Sequence, residues 1–180
     1  MKKLNRKGFT LIELLAVITI MGILLLVAIP AISRTIENSR RDTYMDIAKT
    51  YINTVRNSVL ADEMTCGGTN VAATANGTYY FKIDSNEQAT KDLMQSGGLS
   101  SWSNSKVGGY VQWTKTATSD DRSTLSFSIL LVDEGKHGID TATAEESLTR
   151  SSVKTATTIF YGGSGTAAVP TGSGTACTLN

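Results

Sequence analysis

The sequence predicts an α+β fold: a long N-terminal helix, then an antiparallel β-sheet head packed on its second half. Three observations carry this. Residues 9–32 form an apolar run with one charged side chain, Glu13. Beyond Pro30, the residues Ile36, Tyr44, Ile47, Ala48, Tyr51, Ile52, Val55, Val59 and Leu60 recur mostly at steps of three and four, and the charged residues largely take the other faces. That is the pattern of an amphipathic helix with a stripe to bury. From Gly77 onward, short aromatic and β-branched runs alternate with polar turns, the signature of strands.

The N-terminal elements come first. Lys2, Lys3, Arg6 and Lys7 make residues 1–8 a basic leader, which belongs on the cytoplasmic side of a membrane. A helix needs about 20 residues to cross the hydrocarbon, and residues 9–32 are long enough. An ordinary secretory signal has a shorter apolar region of about 7–15 residues before a small-residue cleavage site. Residues 31–33, AIS, match such a site weakly. A carboxylate in hydrocarbon costs roughly 2.5–3.5 kcal/mol on insertion scales, which marks Glu13 as a candidate functional residue. Gly22 and Pro30 weaken the helix by about 1 and 3 kcal/mol respectively.

The basic leader, the Gly8-Phe9 junction and Glu13 resemble the class III signal of type IV pilins and the related pseudopilins. The motif is specific over the first third of the chain, and the likeness is loose beyond it. The resemblance implies that prepilin peptidase removes residues 1–8 by cutting between Gly8 and Phe9, and that Phe9 is then N-methylated. Residues 9–32 would stay as a transmembrane and filament-core helix, 33–64 as an amphipathic helix packing on the head, and 65–180 as a β-rich head with variable loops. Glu13 would pair with the Phe9 ammonium of a neighbouring subunit; the plainer alternative is that it snorkels to the headgroups. The segment from Gly22 to Pro30 would unwind as the subunit leaves the bilayer.

By the same resemblance, the partners are further copies of the chain in a helical homopolymer, prepilin peptidase, an assembly ATPase and a platform protein. The chain would be a single-pass precursor in the cytoplasmic membrane and then part of an extracellular pilus. A major or core pilin serving adhesion, motility or aggregation is the leading reading. Two alternatives are a pseudopilin of a type II secretion or competence system, and a tethered adhesin that never polymerises.

The net charge of +1 hides an asymmetry. Four of the 17 basic side chains precede Gly8, so the rest of the chain has 13 against 16 acidic ones, a net −3. A mildly acidic chain does not point to nucleic acid, and no specific nucleic acid is expected. Cys66 and Cys177 are an even pair in an exported chain, and a bridge would close a loop of about 110 residues. Two unpaired thiols are the other reading, since sequence does not supply the Cα separation a bridge requires. Pilin heads often carry a disulfide in a short C-terminal loop. Cys66 departs from this by following the stem helix directly, so a bridge to Cys177 would tie the tail back to the helix end.

In the head, the helix is expected to fade near Glu63; residues 66–70, CGGTN, are rich in breakers, and the Ala-Thr-Asn-Gly run that follows reads as loop. Residues 78–83 are the first strand candidate, after an Asn76-Gly77 turn. Ser85 with Gln88 resembles a capping box opening a short helix to about Gln95, which Gly97-Gly98 ends. Residues 110–114 and 125–132 are strand candidates around a turn holding Asp120-Asp121. Thr143 with Glu146 suggests a second short helix over 144–148. Residues 157–161 are the last strand candidate before a Gly/Ser/Thr/Ala tail.

Enzymatic signatures are weak. His137 is the sole histidine, and residues 133–137, DEGKH, lack the first histidine of the zinc-protease motif; it reads as a surface turn residue. Asp120 with Asp121, or Asp133 with Glu134 and Asp140, could offer oxygens to calcium. No EF-hand spacing is present, so solvated turns are the favoured reading. Asn76-Gly77-Thr78 matches a glycosylation sequon and also an ordinary turn. Residues 162–165, GGSG, follow no phosphate-loop pattern, and spacing does not say whether Trp102 and Trp113 are core. The expectation is a structural protein with no cofactor, no metal and no catalytic site.

Overall fold

The computed structural model describes residues 9–70, 76–93, 100–102, 106–117, 123–159, 161 and 172–180. The chain divides into two compact units, Met1–Ser39 and Arg40–Asn180, and helix α1 (Leu11–Leu60) runs through the boundary. In the first unit, from Phe9 onward, all side chains are exposed except half-buried Ala28. The leader residues 1–8, Gly8 among them, lie outside the described residues. The helix is continuous through Gly22 and Pro30. Pro30 lacks an N–H, so the carbonyl of Leu26 is left without its donor four residues on.

In the second unit, α1 buries Tyr44, Ala48, Tyr51, Ile52, Val55, Ser58 and Val59. The stripe is narrower than its periodicity implied. Ile36 and Leu60 are exposed and Ile47 is half-buried, because periodicity does not show where the opposing surface ends. The helix stops in a Schellman arrangement: Asp62 takes φ 56°, Glu63 N–H reaches Ser58 O at 3.0 Å, and Asp62 N–H reaches Val59 O.

The chain then enters a hairpin that turns at the breaker-rich stretch. Strands β1 (Met64–Cys66) and β2 (Thr69–Asn70) pair across Gly67-Gly68, both at positive φ. Positive φ at both central residues is what a tight type I′ hairpin demands, and glycine meets it without strain. Strand β3 (Gly77–Asp84), helix α2 (Gln88–Leu93), β4 (Val107–Ala117), β5 (Ser123–Asp133), β6 (Gly138–Ala144) and β7 (Thr175–Leu179) follow. Among the described residues they form one seven-stranded sheet in the order β2-β1-β7-β3-β4-β5-β6. All neighbours are antiparallel except β3 and β7, which are parallel. The architecture is α+β, pilin-like.

The core lies between the second half of α1 and one sheet face. Tyr51, Ile52 and Val55 join Phe81, Ile83, Val111, Trp113, Ile129 and Leu131 there. Tyr79, Trp113 and Phe127 are cross-strand neighbours whose rings form a ladder, with centroids 6.1 and 6.4 Å apart. On the other face Tyr110, Leu130 and Val132 are buried with Tyr80 and Ile159 against them. Strand β5 is therefore covered on both faces, which explains its nearly continuous apolar run.

Several local expectations need correction. Residues 157–159 are irregular, and Phe160 lies outside the described residues. Among the described residues this segment adds no strand to the sheet; the interior position between β1 and β3 falls to β7, which reads as tail in the sequence. Residues 138–144 form a strand, and only a 3₁₀ turn, Glu145–Ser147, follows, without a side-chain cap. Ser85 caps nothing in α2: its Oγ accepts the N–H of Val107 at 3.2 Å. The Gly97-Gly98 stop, the Asp120-Asp121 turn and residues 162–165 lie outside the described residues.

Candidate functional site

The N-terminal segment is held in shape by one short polar motif. Thr10 precedes the first helical residue, and its hydroxyl oxygen accepts the N–H of Glu13 at 3.3 Å. In return, the backbone N–H and the hydroxyl of Thr10 donate to Glu13 Oε2 at 2.9 and 2.8 Å. This is a Thr-x-x-Glu capping box, which satisfies donors that a helix start otherwise leaves unpaired. In an apolar medium those unpaired groups would cost several kcal/mol each. The hydrogen bonds to Glu13 among the described residues all fall on Oε2, so Oε1 keeps its acceptor capacity. Thr10 carries no assigned role in the sequence analysis above. The T-x-x-E spacing was the signal that would have found it.

Phe9 is 90% exposed at the head of a helix whose large apolar side chains are all exposed down to Ile36. The stretch is long and apolar enough to cross a membrane by length and composition. Its hydroxyls are internally satisfied: Thr19 Oγ1 donates to Ala16 O at 2.8 Å, and Ser33 Oγ to Ile29 O at 3.0 Å. Gly22 has open space where a Cβ would stand, so no contact among the described residues requires a glycine there.

In the second unit, Cys66 of β1 and Cys177 of β7 are joined by a disulfide and face each other directly in the antiparallel register. Polar clamps fasten the helix to the head elements. Arg150 donates from Nε and Nη2 to the two oxygens of Asp42, both at 2.6 Å. These bonds hold the Asp42 carboxyl below the usual carboxylate range and raise the Arg150 guanidinium. Arg56 pairs with Glu145 and lies over the Phe127 ring, 4.7 Å from its centroid.

His137 is not a surface turn residue. Its ring is half-buried and stacks on Trp102, centroids 4.6 Å apart, and its Nδ1 lies 3.1 Å from the fully buried carboxylate of Asp133. Ser100 Oγ donates to the same carboxylate at 2.5 Å. Asp140 pairs with Lys154 at 2.6 Å. Burial works against the charged form of Asp140, and the Lys154 ammonium overcomes it, leaving the carboxyl below its ordinary range. The oxygens of Asp133 and Asp140 are thus committed to protein donors. Among the described residues no three His, Cys, Asp or Glu side chains gather as a metal site would require; Asp120 and Asp121 lie outside those residues. Trp113 is core and Trp102 half-buried.

Residues 3–29 match the family model described as the prokaryotic N-terminal methylation motif. The chain carries the class III signal peptide of type IV pilins. It is thus a pilin- or pseudopilin-like precursor, and its signal is of the kind that prepilin peptidase processes and that leads into pilus assembly. The apolar helix that follows and the helix-plus-sheet architecture are those of a structural protein of this kind. No curated protein and no solved structure matches the chain.

Proposed function

We propose that this chain is a major or core subunit of a type IV pilus. Cleavage between Gly8 and Phe9 removes residues 1–8 and frees an ammonium at Phe9, which is then N-methylated with its charge retained. Residues 9–32 hold the subunit in the cytoplasmic membrane as a single-pass protein and later form the filament core. Residues 33–64 carry the head, residues 65–180. The observation that carries the reading is the matched motif opening an exposed apolar helix with a carboxylate, Glu13, capped in place at its start.

The mechanism follows from charge and solvation. A carboxylate in an apolar surrounding needs a partner. Thr10 satisfies Oε2, and Oε1 takes the Phe9 ammonium of a neighbouring copy, which sets the axial register as subunits add. The segment between Gly22 and Pro30, already missing one helical hydrogen bond, is where the stem lengthens on leaving the bilayer. An assembly ATPase and a platform protein supply the work, so the chain needs no catalytic site. The sizeable Ser/Thr-rich head favours a surface pilus over a pseudopilus.

The test is the mass and N-terminal sequence of the protein in material sheared from the cell surface. A chain beginning at N-methylated Phe9 and enriched in filaments is expected. A chain that begins at Met1 and stays with the membrane would overturn the reading in favour of a tethered head.

A further inference from the structure

The carboxylate of Asp133, at the end of β5, is 0% exposed. Ser100 Oγ donates to its Oδ2 at 2.5 Å and the backbone N–H of His137 to its Oδ1 at 2.7 Å. His137 Nδ1 lies 3.1 Å from Oδ2 and 3.2 Å from Oδ1. An ionised carboxylate only accepts hydrogen bonds, so Nδ1 carries a proton whether the ring is neutral or charged. That bond therefore survives titration of the ring, and what titration changes is charge. An imidazolium sets an opposite charge against a carboxylate that water does not reach. It also places that charge on the face of Trp102, ring centroids 4.6 Å apart and planes 4° from parallel, where an indole attracts a cation.

Residues 100–102 hang on this group. Ser100 is tied to Asp133 and Trp102 lies on the His137 ring. Both are also joined to α1 through their neighbourhood: Ser101 Oγ donates to Arg40 O at 2.8 Å, and Trp102 meets Tyr44 edge to face at 5.8 Å. We infer that His137 is a proton-operated latch, which as imidazolium holds residues 100–102 against β5 and α1 and on losing its proton loosens them. The ring is 22% exposed, so the proton comes and goes without unfolding of the head. Both charge-dependent contacts favour the protonated ring, so the latch is tight at acidic pH and slackens as pH rises through the histidine range, between about pH 5 and 8. The other ionisable groups on the elements packed here do not take over this role. Burial, then the Asp133 charge, keeps the Tyr44 phenol well above its ordinary range and neutral throughout. Lys154 is held by Asp140, Asp42 by Arg150, and the Tyr161 hydroxyl by Asp84. Glu134 and Lys136 in the turn and Arg40 on α1 are exposed, where water and salt screen them; Arg41, half-buried on α1, keeps its charge across this range.

NMR on the full chain in non-ionic micelles, with isotope-labelled histidine and tryptophan, tests this. The chain has one histidine and two tryptophans, so single variants assign the signals. The Trp102 amide donates to Ser100 Oγ at 3.2 Å and reports opening of residues 100–102. The Trp113 amide, within the β4 ladders, reports the fold. Corrected for the intrinsic rate at each pH, hydrogen-exchange protection of the Trp102 amide is expected to fall roughly 5–30-fold between about pH 5 and about pH 8. The fall should follow the titration curve of the His137 ring, with Trp113 protection constant. His137→Gln keeps a side-chain N–H donor but gains no charge, and its Trp102 protection is expected to be low and flat over the same range. Constant Trp102 protection in the wild type, a wild-type pH profile in H137Q, or a parallel fall at Trp113 overturns the latch. The wild-type profile decides by itself if H137Q does not fold. No readout involves filaments, so the outcome is independent of the pilus reading.

Discussion

Gly108 is where the sheet makes room for the chain beyond β6. A Cβ built there would lie 2.1 Å from Cδ2 and 2.7 Å from Cε2 of Tyr161, far inside contact distance and near the base of the ring, where a small rotation gives no relief. Gly108→Ala should therefore expel a side chain that is only 3% exposed. Two losses follow. Aromatic burial is worth about 1.5–3 kcal/mol, and the hydrogen bond from Tyr161 OH to Asp84 Oδ1, 2.6 Å, about 1.5–3 kcal/mol for a charged acceptor. Allowing for partial resettling, the expected destabilisation is about 3–5 kcal/mol, or a fall in Tm on the order of 10–15 °C. Burial and the Asp84 carboxylate push the Tyr161 phenol up to about 12. A raised folded value stabilises fully below the ordinary tyrosine range, and that stability is lost as pH rises toward 12. The gap between wild type and G108A should therefore narrow over that window. Thermal and chemical unfolding of the full chain in non-ionic micelles gives the numbers, with Tyr161→Ala and the double variant closing a cycle. The double variant should be no less stable than Y161A by more than about 0.5 kcal/mol. A near-neutral G108A, or strict additivity in the cycle, would refute the reasoning.

Three further outcomes are expected. Glu13→Ala should leave the protein in the membrane with residues 1–8 removed but absent from sheared filaments, and Thr10→Val should reduce its recovery there without altering the mass of the processed chain; immunoblots and mass spectra of the two fractions decide. Ile52→Ala, at a fully buried site, should cost about 2–5 kcal/mol, whereas Ile36→Ala at an exposed one should stay within about 0.5 kcal/mol, as unfolding curves will report. Lys154→Met should lower stability at neutral pH. Since the folded Asp140 carboxyl lies below its ordinary range, the stability it supplies is present above that range and lost as pH falls through the depressed value. The difference between K154M and wild type should accordingly shrink toward strongly acidic pH in an acid-unfolding series.

The helix and its change of character at Pro30 were legible because an apolar run and a 3.6-residue stripe are local properties. The stripe overreached at Ile36 and Leu60, since periodicity records a face and not the extent of what covers it. Strands β4 and β5 were legible from their aromatic and β-branched runs. Strands β6 and β7 were not, because GIDTATA and TACTL are poor in large apolar side chains and become strands through the ladders their neighbours offer. Conversely, residues 157–159 carry β-branched character, yet Tyr161 is used as a plug over Gly108. His137 looked like a turn residue because nothing in the spacing shows that Trp102 stacks on it.

What the amino-acid order determined by itself is the processing motif, the membrane-length helix and the α+β class. Each rests on local patterns along the chain, where hydropathy and periodicity alone decide. Only the tertiary structure decided that Cys66 meets Cys177 across a strand pair, that the final strand lies in mid-sheet, and that Asp133 and Asp140 are spent on internal partners. Those facts join residues as far as 111 positions apart, and their free energy exists only once the sheet has brought the distant segments into contact.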